Sequence, residues 1–329
     1  MYSASRPLIE LNVRRFVSEI EGIDIRSHCQ FVDYVFDEGS SSVTGVIIRG
    51  ENGEATELTA DLVVDATGRA SRTPKWLDEH GFQSPTVEEV HVDVAYSTTL
   101  VRRPWDDRRA IITTPDPPRT RGGSAFPVEG DRWLVNIHGM LGDHPPTDRD
   151  GFEEFASSLP IPHLTEILTE HEWISEEIEY YPFPSHRRHY YEELDEFPDR
   201  LVVLGDAIAS YNPIFGQGMS VAALEALQLH HSLANAPHET LALDFFARAE
   251  TAVDPAWMVA TGSDLRFDGT EGEKPRGTDL SNWYLSRLLR KAHTDSSLVE
   301  AFIGVVTMEK PPSSLFRPSI AWRVLTPGD

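Results

Sequence analysis

The sequence predicts an α/β protein, because it contains strand patterns of two kinds, continuous and alternating, together with long segments of helical periodicity. The run 62–65 ends in the carboxylate of Asp65 and is followed by Gly68, and the run 201–204 is followed by Gly205 and Asp206. Buried parallel strands end in this way where their carboxyl ends face a ligand crevice. Residues 88–140 alternate apolar and polar side chains instead, which indicates a half-exposed antiparallel sheet. Apolar residues at 7–21 and 216–233 recur at helical spacing.

The first helix has signals at both ends. Ser5 is placed to act as its N-cap, and Gly22 follows its last apolar position. From 23 to 68 the pattern changes to that of a β-meander, in which Asn52 and Gly53 indicate a hairpin turn. We expect this meander to end in the first of the two buried strands.

The remaining elements are short helices, one further strand and a helical tail. They are predicted at 151–159 and 163–171 (helices), 175–183 (strand) and 240–325 (helical, interrupted by the polar stretch 267–278). Proline-rich segments at 115–118 and 144–146 predict loops, and the sequence contains no internal repeat.

The chain of 329 residues is long enough to bury a core without disulfides. Its single cysteine, Cys29, lies in a strand pattern, which predicts a small buried hydrophobic side chain. The sequence shows neither a basic leader followed by an apolar core nor an apolar run of membrane-spanning length. We therefore expect a soluble protein of a reducing cytoplasm.

The charge is strongly acidic, with 53 acidic against 29 basic residues and a net charge of −24. Four of the 29 basic residues are lysines, which leaves 25 arginines. Excess carboxylate with little lysine keeps a protein hydrated where salt screens charge, so the composition favours a halophilic origin over an acidic protein of an ordinary cell. Nucleic acid is excluded as a partner, since its phosphates would be repelled.

The segment 200–233 contains the residues best suited to hold a ligand. Gly205 and Asp206 end a buried strand, and Gly216 and Gly218 open a long helix. A carboxylate at a strand end can accept hydrogen bonds from ribose hydroxyls, and glycines at a helix start let backbone N–H groups approach a ligand. No lysine accompanies the glycines, which argues against a P-loop. Glycines that merely permit tight packing are the alternative.

This segment resembles the second FAD-contact signature of the class A flavoprotein monooxygenases, the para-hydroxybenzoate hydroxylase-like family. DLVVDATGRASRTPKWL, from Asp61 to Leu77, resembles the other signature of that family. NPIFGQGMSVAALEAL, SRPLIELNVRR, WMVATGSDLRF and KPPSSLFRPSIAWRVL are similar to a branch of FAD-dependent oxidoreductases related to epoxidases. The resemblance covers about 5–325.

The resemblance implies a set of FAD-binding residues. These are Arg6, Asp65, Gly68, Arg69, Gly205, Asp206, Pro213, Gly216, Gln217, Gly218 and Met219. Arg6 would contact the flavin nucleotide, and the residues of the first signature would lie near the pyrophosphate. Asp206 would hold the ribityl or pyrophosphate part, and Pro213 would lie against the isoalloxazine. Backbone N–H groups of 216–219 would face the flavin carbonyl edge, where a helix N-terminus stabilises negative charge.

The fold that the resemblance implies is an incomplete FAD/NAD(P)-binding Rossmann-like domain with an inserted antiparallel-sheet substrate domain and a helical C-terminal region. The predicted bounds are 1–85 and 191–250 for the FAD-binding parts, 86–190 for the substrate domain and 251–329 for the helical region. The Gly-x-Gly-x-x-Gly unit that begins such chains is absent from this sequence. We expect a truncated gene, a misassigned start at Met1, or a separate chain that supplies the unit.

The implied function is that of an FAD-dependent monooxygenase or epoxidase that takes electrons from NAD(P)H and acts on an apolar alkene or aromatic substrate. A flavin-dependent reductase of isoprenoid double bonds and a remnant that does not bind FAD remain alternatives. Neither a catalytic side chain nor the substrate is identified. Aromatic residues that could line a substrate pocket, or simply form core, are Trp105, Phe126, Trp133 and Tyr181.

Other kinds of site are not predicted. His186 and His189 stand three residues apart, but no cysteine or carboxylate cluster completes a metal site. His230 and His231 lie late in a helix, where contact with the helix dipole is the simpler explanation. The Gly-x-Ser-x-Gly turn of a serine hydrolase is absent.

Overall fold

A computed structural model describes residues 3–326, so the predicted start at Met1 and the outermost ends of the predicted domains lie outside the described residues. The chain divides into two compact units. One comprises Met1–Ser27 and His91–Ser185, and the other His28–Val90 and His186–Asp329. The four-part domain division stays a prediction.

Runs of strands and helices follow one another along the chain, and the last five elements are all helices. In chain order they are α1 (Arg6–Ser18), β1 (Gln30–Asp37), β2 (Ser42–Arg49), β3 (Ala55–Thr59), β4 (Val63–Asp65), α2 (Thr73–Glu79), β5 (Thr86–Arg102), β6 (Ile111–Thr113), β7 (Arg121–Val128), β8 (Arg132–Gly139), α3 (Arg149–Ser157), α4 (His163–Glu170), β9 (Glu179–Tyr190), β10 (Leu201–Val203), β11 (Ala209–Ser210), α5 (Gly218–Asn235), α6 (Leu241–Asp264), α7 (Thr278–Ala292), α8 (Ser296–Val306) and α9 (Pro318–Leu325).

The first unit is built on an antiparallel sheet in which β5, β8, β7 and β6 are neighbours in that order. One face of this sheet packs against α3 and α4, because its inward residues are large and apolar. This core includes Trp133, Val135, Ile137, Phe152 and Leu164. The predictions of an antiparallel sheet in 88–140 and of two short helices after it are confirmed.

The second unit contains two sheets and most of the helices. β1, β2 and β3 form an antiparallel meander, and β4 pairs with β10 in parallel. α5 packs against α6, and α7, α8 and α9 surround a small apolar core of their own. The predictions of a hairpin at 52–53, of a helix after Gly216 and of an interrupted helical tail are confirmed.

Three local predictions need correction or refinement. α1 is capped by Ser5 as predicted, yet none of its residues is buried. β1 begins only at Gln30, so the prediction of a buried Cys29 is wrong and the side chain is exposed. β4 was predicted to be a buried strand, but Val64 is 41% exposed. Among the described residues β10 is the only strand that pairs with β4.

A helix needs a certain length and apolar character to cross a bilayer, and the helices of this chain differ in both. Within residues 3–326, none of them combines the length and the apolar character needed to cross a membrane.

Candidate functional site

The two carboxylate-bearing loops meet at one edge of the second unit. In the parallel pair, Val203 of β10 lies opposite Asp65 of β4, so both strands end at the same edge. Each strand is followed by a 3₁₀ turn, Gly68–Ala70 and Gly205–Ala207. A Cβ placed on Gly68 would lie 3.9 Å from the Cβ of Asp206. The structure therefore brings together the two sequence signatures.

Asp65 holds the first of these loops in shape. Its carboxylate accepts hydrogen bonds from the backbone N–H of Thr67 (2.9 Å) and from the hydroxyls of Thr67 (2.6 Å), Ser71 (2.5 Å) and Thr73 (2.5 Å). Burial raises the pKa of Asp65, but the hydrogen bonds from Ser71, Thr67 and Thr73 outweigh it and lower the pKa below its ordinary value. Both oxygens are thus occupied inside the loop, and Asp65 positions its neighbours.

Arg69 supplies a cation at this edge. Its Nη1 donates to the hydroxyl of Ser210 at 3.1 Å. Burial is the main cause that lowers the pKa of Arg69, followed by the charge of Arg187, whereas Glu89 and Asp206 act in the opposite direction. The guanidinium group remains charged throughout the physiological range, since arginine titrates far above it.

The start of α5 faces the Asp206 loop. Gly216 ends the 3₁₀ turn Pro213–Phe215 with φ +65°, a left-handed conformation that favours glycine. α5 then begins at Gly218, and its N-cap residue, Gln217, makes no side-chain capping hydrogen bond. A Cβ on Gly218 would lie 3.8 Å from Oδ1 of Asp206. The positive end of the helix dipole therefore lies beside the Asp206 carboxylate.

A buried histidine and aspartate support the loop that leads to α5. Nδ1 of His186 accepts a hydrogen bond from the backbone N–H of Asn212 (3.2 Å), so its proton lies on Nε2, which donates to Asp264 (2.8 Å). The amide of Asn212 donates to the same carboxylate oxygen at 2.8 Å. Sequence reasoning missed this role of His186, because nothing in the sequence pairs it with a residue in α6.

Glu225 lies beneath the second loop and is fully buried. One carboxyl oxygen accepts a hydrogen bond from the backbone N–H of Gly205, and the other has no partner among the described residues. Burial, the largest cause, and the charge of Asp206 together raise the pKa of Glu225 to about 8 against the opposing hydrogen bond from Gly205. A lone carboxylate in the apolar helical stretch AALEAL was the signal that could have identified it.

Arg6 belongs to the first unit, whereas the residues described above belong to the second. It begins α1, and its contact with the nucleotide stays a prediction. Pro213 and Met219 lie on the same loop and helix start as Gly216, with both side chains exposed.

The aromatic residues considered for a substrate pocket have different environments. Trp133 is fully buried in the core against α3 and α4, so it cannot line an open pocket. Trp105 is 76% exposed and Tyr181 is also exposed, whereas Phe126 is half-buried in β7.

Within residues 3–326, three carboxylate side chains lie close enough together to bind a metal ion. They are Glu192, Glu250 and Asp254. This group contains neither His186 nor His189. Arg188 forms ion pairs with Glu192 and Asp254, which gives these carboxylates a cationic partner from the protein itself.

Comparison with known proteins identifies the family. The FAD binding domain family matches residues 18–249, more than half of the chain. The chain belongs to the FAD binding domain family. The predicted flavoprotein resemblance is thereby confirmed at the level of the family, while the epoxidase-related branch stays a prediction.

Protein Rv3254 of Mycobacterium tuberculosis is 28% identical to this FAD binding domain protein over 313 residues, or 92% of the chain. The chain spans 66% of the length of that relative.

Solved structures share the fold at low identity. A flavoprotein/dehydrogenase from Cytophaga hutchinsonii aligns with a TM-score of 0.67 at 15% identity, over 93% of this chain and 69% of that one. The myxobacterial chondrochloren halogenase CndH, an FAD-dependent halogenase, aligns with a TM-score of 0.59 at 16% identity, over 98% and 70%. PqsL of Pseudomonas aeruginosa, a probable FAD-dependent monooxygenase, aligns with a TM-score of 0.56 at 19% identity, over 79% and 71%.

We predict that Asp65→Asn destabilises the second unit by about 3 kcal/mol, because the amide cannot accept all the hydrogen bonds that the carboxylate accepts. The stabilisation by Asp65 is present above the ordinary carboxyl pKa of 3.8 and is lost as the pH falls through the lowered pKa of the folded state. Urea unfolding at neutral pH measures the change. Asp61→Asn, at an exposed position of the same segment, is the control, and equal midpoints for the two variants would contradict the prediction.

A second prediction concerns Glu225→Gln, which mimics the protonated side chain. The folded state holds the proton up to about pH 8 while the unfolded state releases it near 4.5, so this contribution to stability is complete below 4.5 and is lost as the pH rises towards 8. Between these limits the unfolding free energy of the wild type should fall, relative to the variant, by up to about 1.4 kcal/mol per pH unit. Denaturant titrations at several pH values test this. Glu193→Gln, at an exposed carboxylate, should run parallel to the wild type; a Glu225→Gln curve that does the same would refute the assignment.

Proposed function

We propose that this protein is an FAD-dependent oxidoreductase of the monooxygenase type, and that the edge formed by Asp206, Arg69 and the start of α5 binds part of the FAD. The observation that carries the proposal is the convergence of Gly68 and Gly218 on Asp206, with Cβ positions within 4 Å of that side chain. Two glycines leave room for a ligand next to a carboxylate at the end of a parallel pair of strands.

The hydrogen-bonding groups at this edge are suited to bind the ribityl chain and the ring edge of FAD. Asp206 can accept hydrogen bonds from vicinal hydroxyls, and the first N–H groups of α5 lack a side-chain cap and can donate to a carbonyl or an anion. Arg69 can pair with a phosphate. The phosphate-binding glycine turn is absent from the sequence, so we propose that residues outside this sequence, for example on a separate chain, complete the pyrophosphate site.

When bound, FAD would supply the redox chemistry, with electrons from NAD(P)H passed to molecular oxygen. The residues of this chain would bind and orient it. The start of α5 would stabilise negative charge on the ring edge through its dipole, and the buried His186–Asp264 pair would keep the 212–218 loop in place.

The substrate class is an apolar alkene or aromatic molecule. This part of the proposal rests on the resemblance to epoxidase-related oxidoreductases, and a flavin-dependent reductase of isoprenoid double bonds is the second candidate. We also propose that the protein works in a saline cytoplasm, because its net charge is −24 and four of its 29 basic residues are lysines.

The binding proposal predicts that the purified chain, kept in high salt, binds FAD and shows flavin absorbance. Asp206→Ala should weaken binding by about 1–3 kcal/mol, since buried hydroxyl groups of the ligand would lose their acceptor. Asp195→Ala, at an exposed carboxylate in the same unit, should bind FAD as the wild type does. A chain that cannot be reconstituted with FAD, or an Asp206→Ala variant with unchanged affinity, would contradict the proposal.

The FAD-loaded protein should consume oxygen as it oxidises NAD(P)H, and an apolar alkene or aromatic substrate should accelerate this uptake. An oxygen electrode and NAD(P)H absorbance measure the two rates together. Turnover of an alkene under strictly anaerobic conditions, without oxygen uptake in air, would favour the reductase instead.

A further inference from the structure

A pocket of about 260 Å³ lies between α5, α6 and the segment that follows α8, within the second unit. Most of its walls are apolar: Leu224, Ala252, Pro255, Ala256, Val259, Val305, Met308, Pro311 and Pro312. An engineered apolar cavity of about 150 Å³ accommodates benzene, so this volume suits a molecule of roughly ten heavy atoms.

The buried polar group of the pocket is the side chain of Gln217, which is 7% exposed. Its Nε2 donates to the carbonyl of Val306 at 3.4 Å, which orients the amide. Its Oε1 is buried and has no hydrogen-bond partner among the described residues. An unpaired buried acceptor costs free energy, so a ligand that donates a hydrogen bond there would relieve it.

A proline in α6 changes the helical hydrogen bonding beside the pocket. Pro255 lies inside the helix and has no backbone N–H, so the carbonyl of Thr251, one turn earlier, loses its helical hydrogen bond. Both residues line the pocket. Gln228, a half-buried lining side chain, can both donate and accept hydrogen bonds, so it is the buried Oε1 of Gln217 that favours a ligand with a hydrogen-bond donor.

The charged residues of the lining are Glu309 and Lys310, which are adjacent, exposed and opposite in sign. Their formal charges compensate each other, so the charged part of the lining carries no net charge. From the apolar walls, the buried acceptor and the balanced charge, we propose that this pocket binds a small uncharged phenol or alcohol with an apolar body.

This proposal is independent of the proposed function, because its test needs neither FAD nor turnover. The probe is 2-naphthol, which has a hydroxyl donor on an apolar body, and 2-methoxynaphthalene is the matched molecule without a donor. We expect 2-naphthol to bind the full chain saturably at one site below about 1 mM, measured by equilibrium dialysis and by its fluorescence. The methoxy compound should bind about fivefold more weakly, the ratio for one neutral hydrogen bond.

The variants locate the site. Val259→Trp fills the pocket and should weaken 2-naphthol binding at least tenfold, and Met308→Trp fills it from another segment if Val259→Trp does not fold by circular dichroism. Met258→Trp, at the adjacent position that is 66% exposed and outside the lining, should leave binding unchanged. Gln217→Leu should reduce the affinity for 2-naphthol to that for 2-methoxynaphthalene.

The contrary outcomes are equally distinct. No saturable binding, or wild-type affinity in a folded Val259→Trp or Met308→Trp variant, overturns the site. Equal affinity of the wild type for the two naphthalenes overturns the assignment of Gln217 as the acceptor.

Discussion

The parallel pairing of β4 with β10 is the constraint on which the candidate site depends. These strands are only three residues long each, and they join parts of the chain more than 130 residues apart. Because the pair is parallel, the loops that follow the two strands leave from the same edge, and Asp206 comes next to Gly68. Every further feature of the site, from the Arg69 cation to the α5 dipole, is placed relative to this edge.

The pKa values of two buried carboxyl groups near this edge are shifted in opposite directions. Asp65 accepts four hydrogen bonds, which lower its pKa and keep it charged. Glu225 accepts one and is fully buried, so burial, together with the charge of Asp206, raises its pKa to about 8 and the side chain is mainly protonated at neutral pH. The neutral form removes a negative charge from behind Asp206 in a protein whose net charge is already −24. In the FAD site that we propose at this edge, that neutrality would reduce the repulsion of an anionic nucleotide.

The sequence predicted the features that local pattern determines. The alternation in 88–140, the capped first helix and the glycine-opened α5 were all recognisable, because each depends on neighbours in sequence. The meeting of the two signatures could be predicted as well, since both end apolar strands. What could not be predicted depends on distant partners: the pairing of His186 with Asp264, the burial of Trp133 against α3 and α4, and the exposure of Val64, whose strand has one neighbour in the described structure.

The start of α5 contributes to two different surfaces, the candidate FAD-binding edge and the pocket against α6. The backbone around Gln217 belongs to the loop beside Asp206, while the Gln217 side chain lines the pocket against α6. Further along the helix, Glu225 turns to the strand ends and its neighbour Leu224 lines that pocket. Because a helix presents successive residues about 100° apart, adjacent positions can face different surroundings without any change in backbone geometry. His186 and Asp264 accept hydrogen bonds from Asn212 in the loop before α5 and so support both surfaces. A shift of the helix start would change both surfaces together.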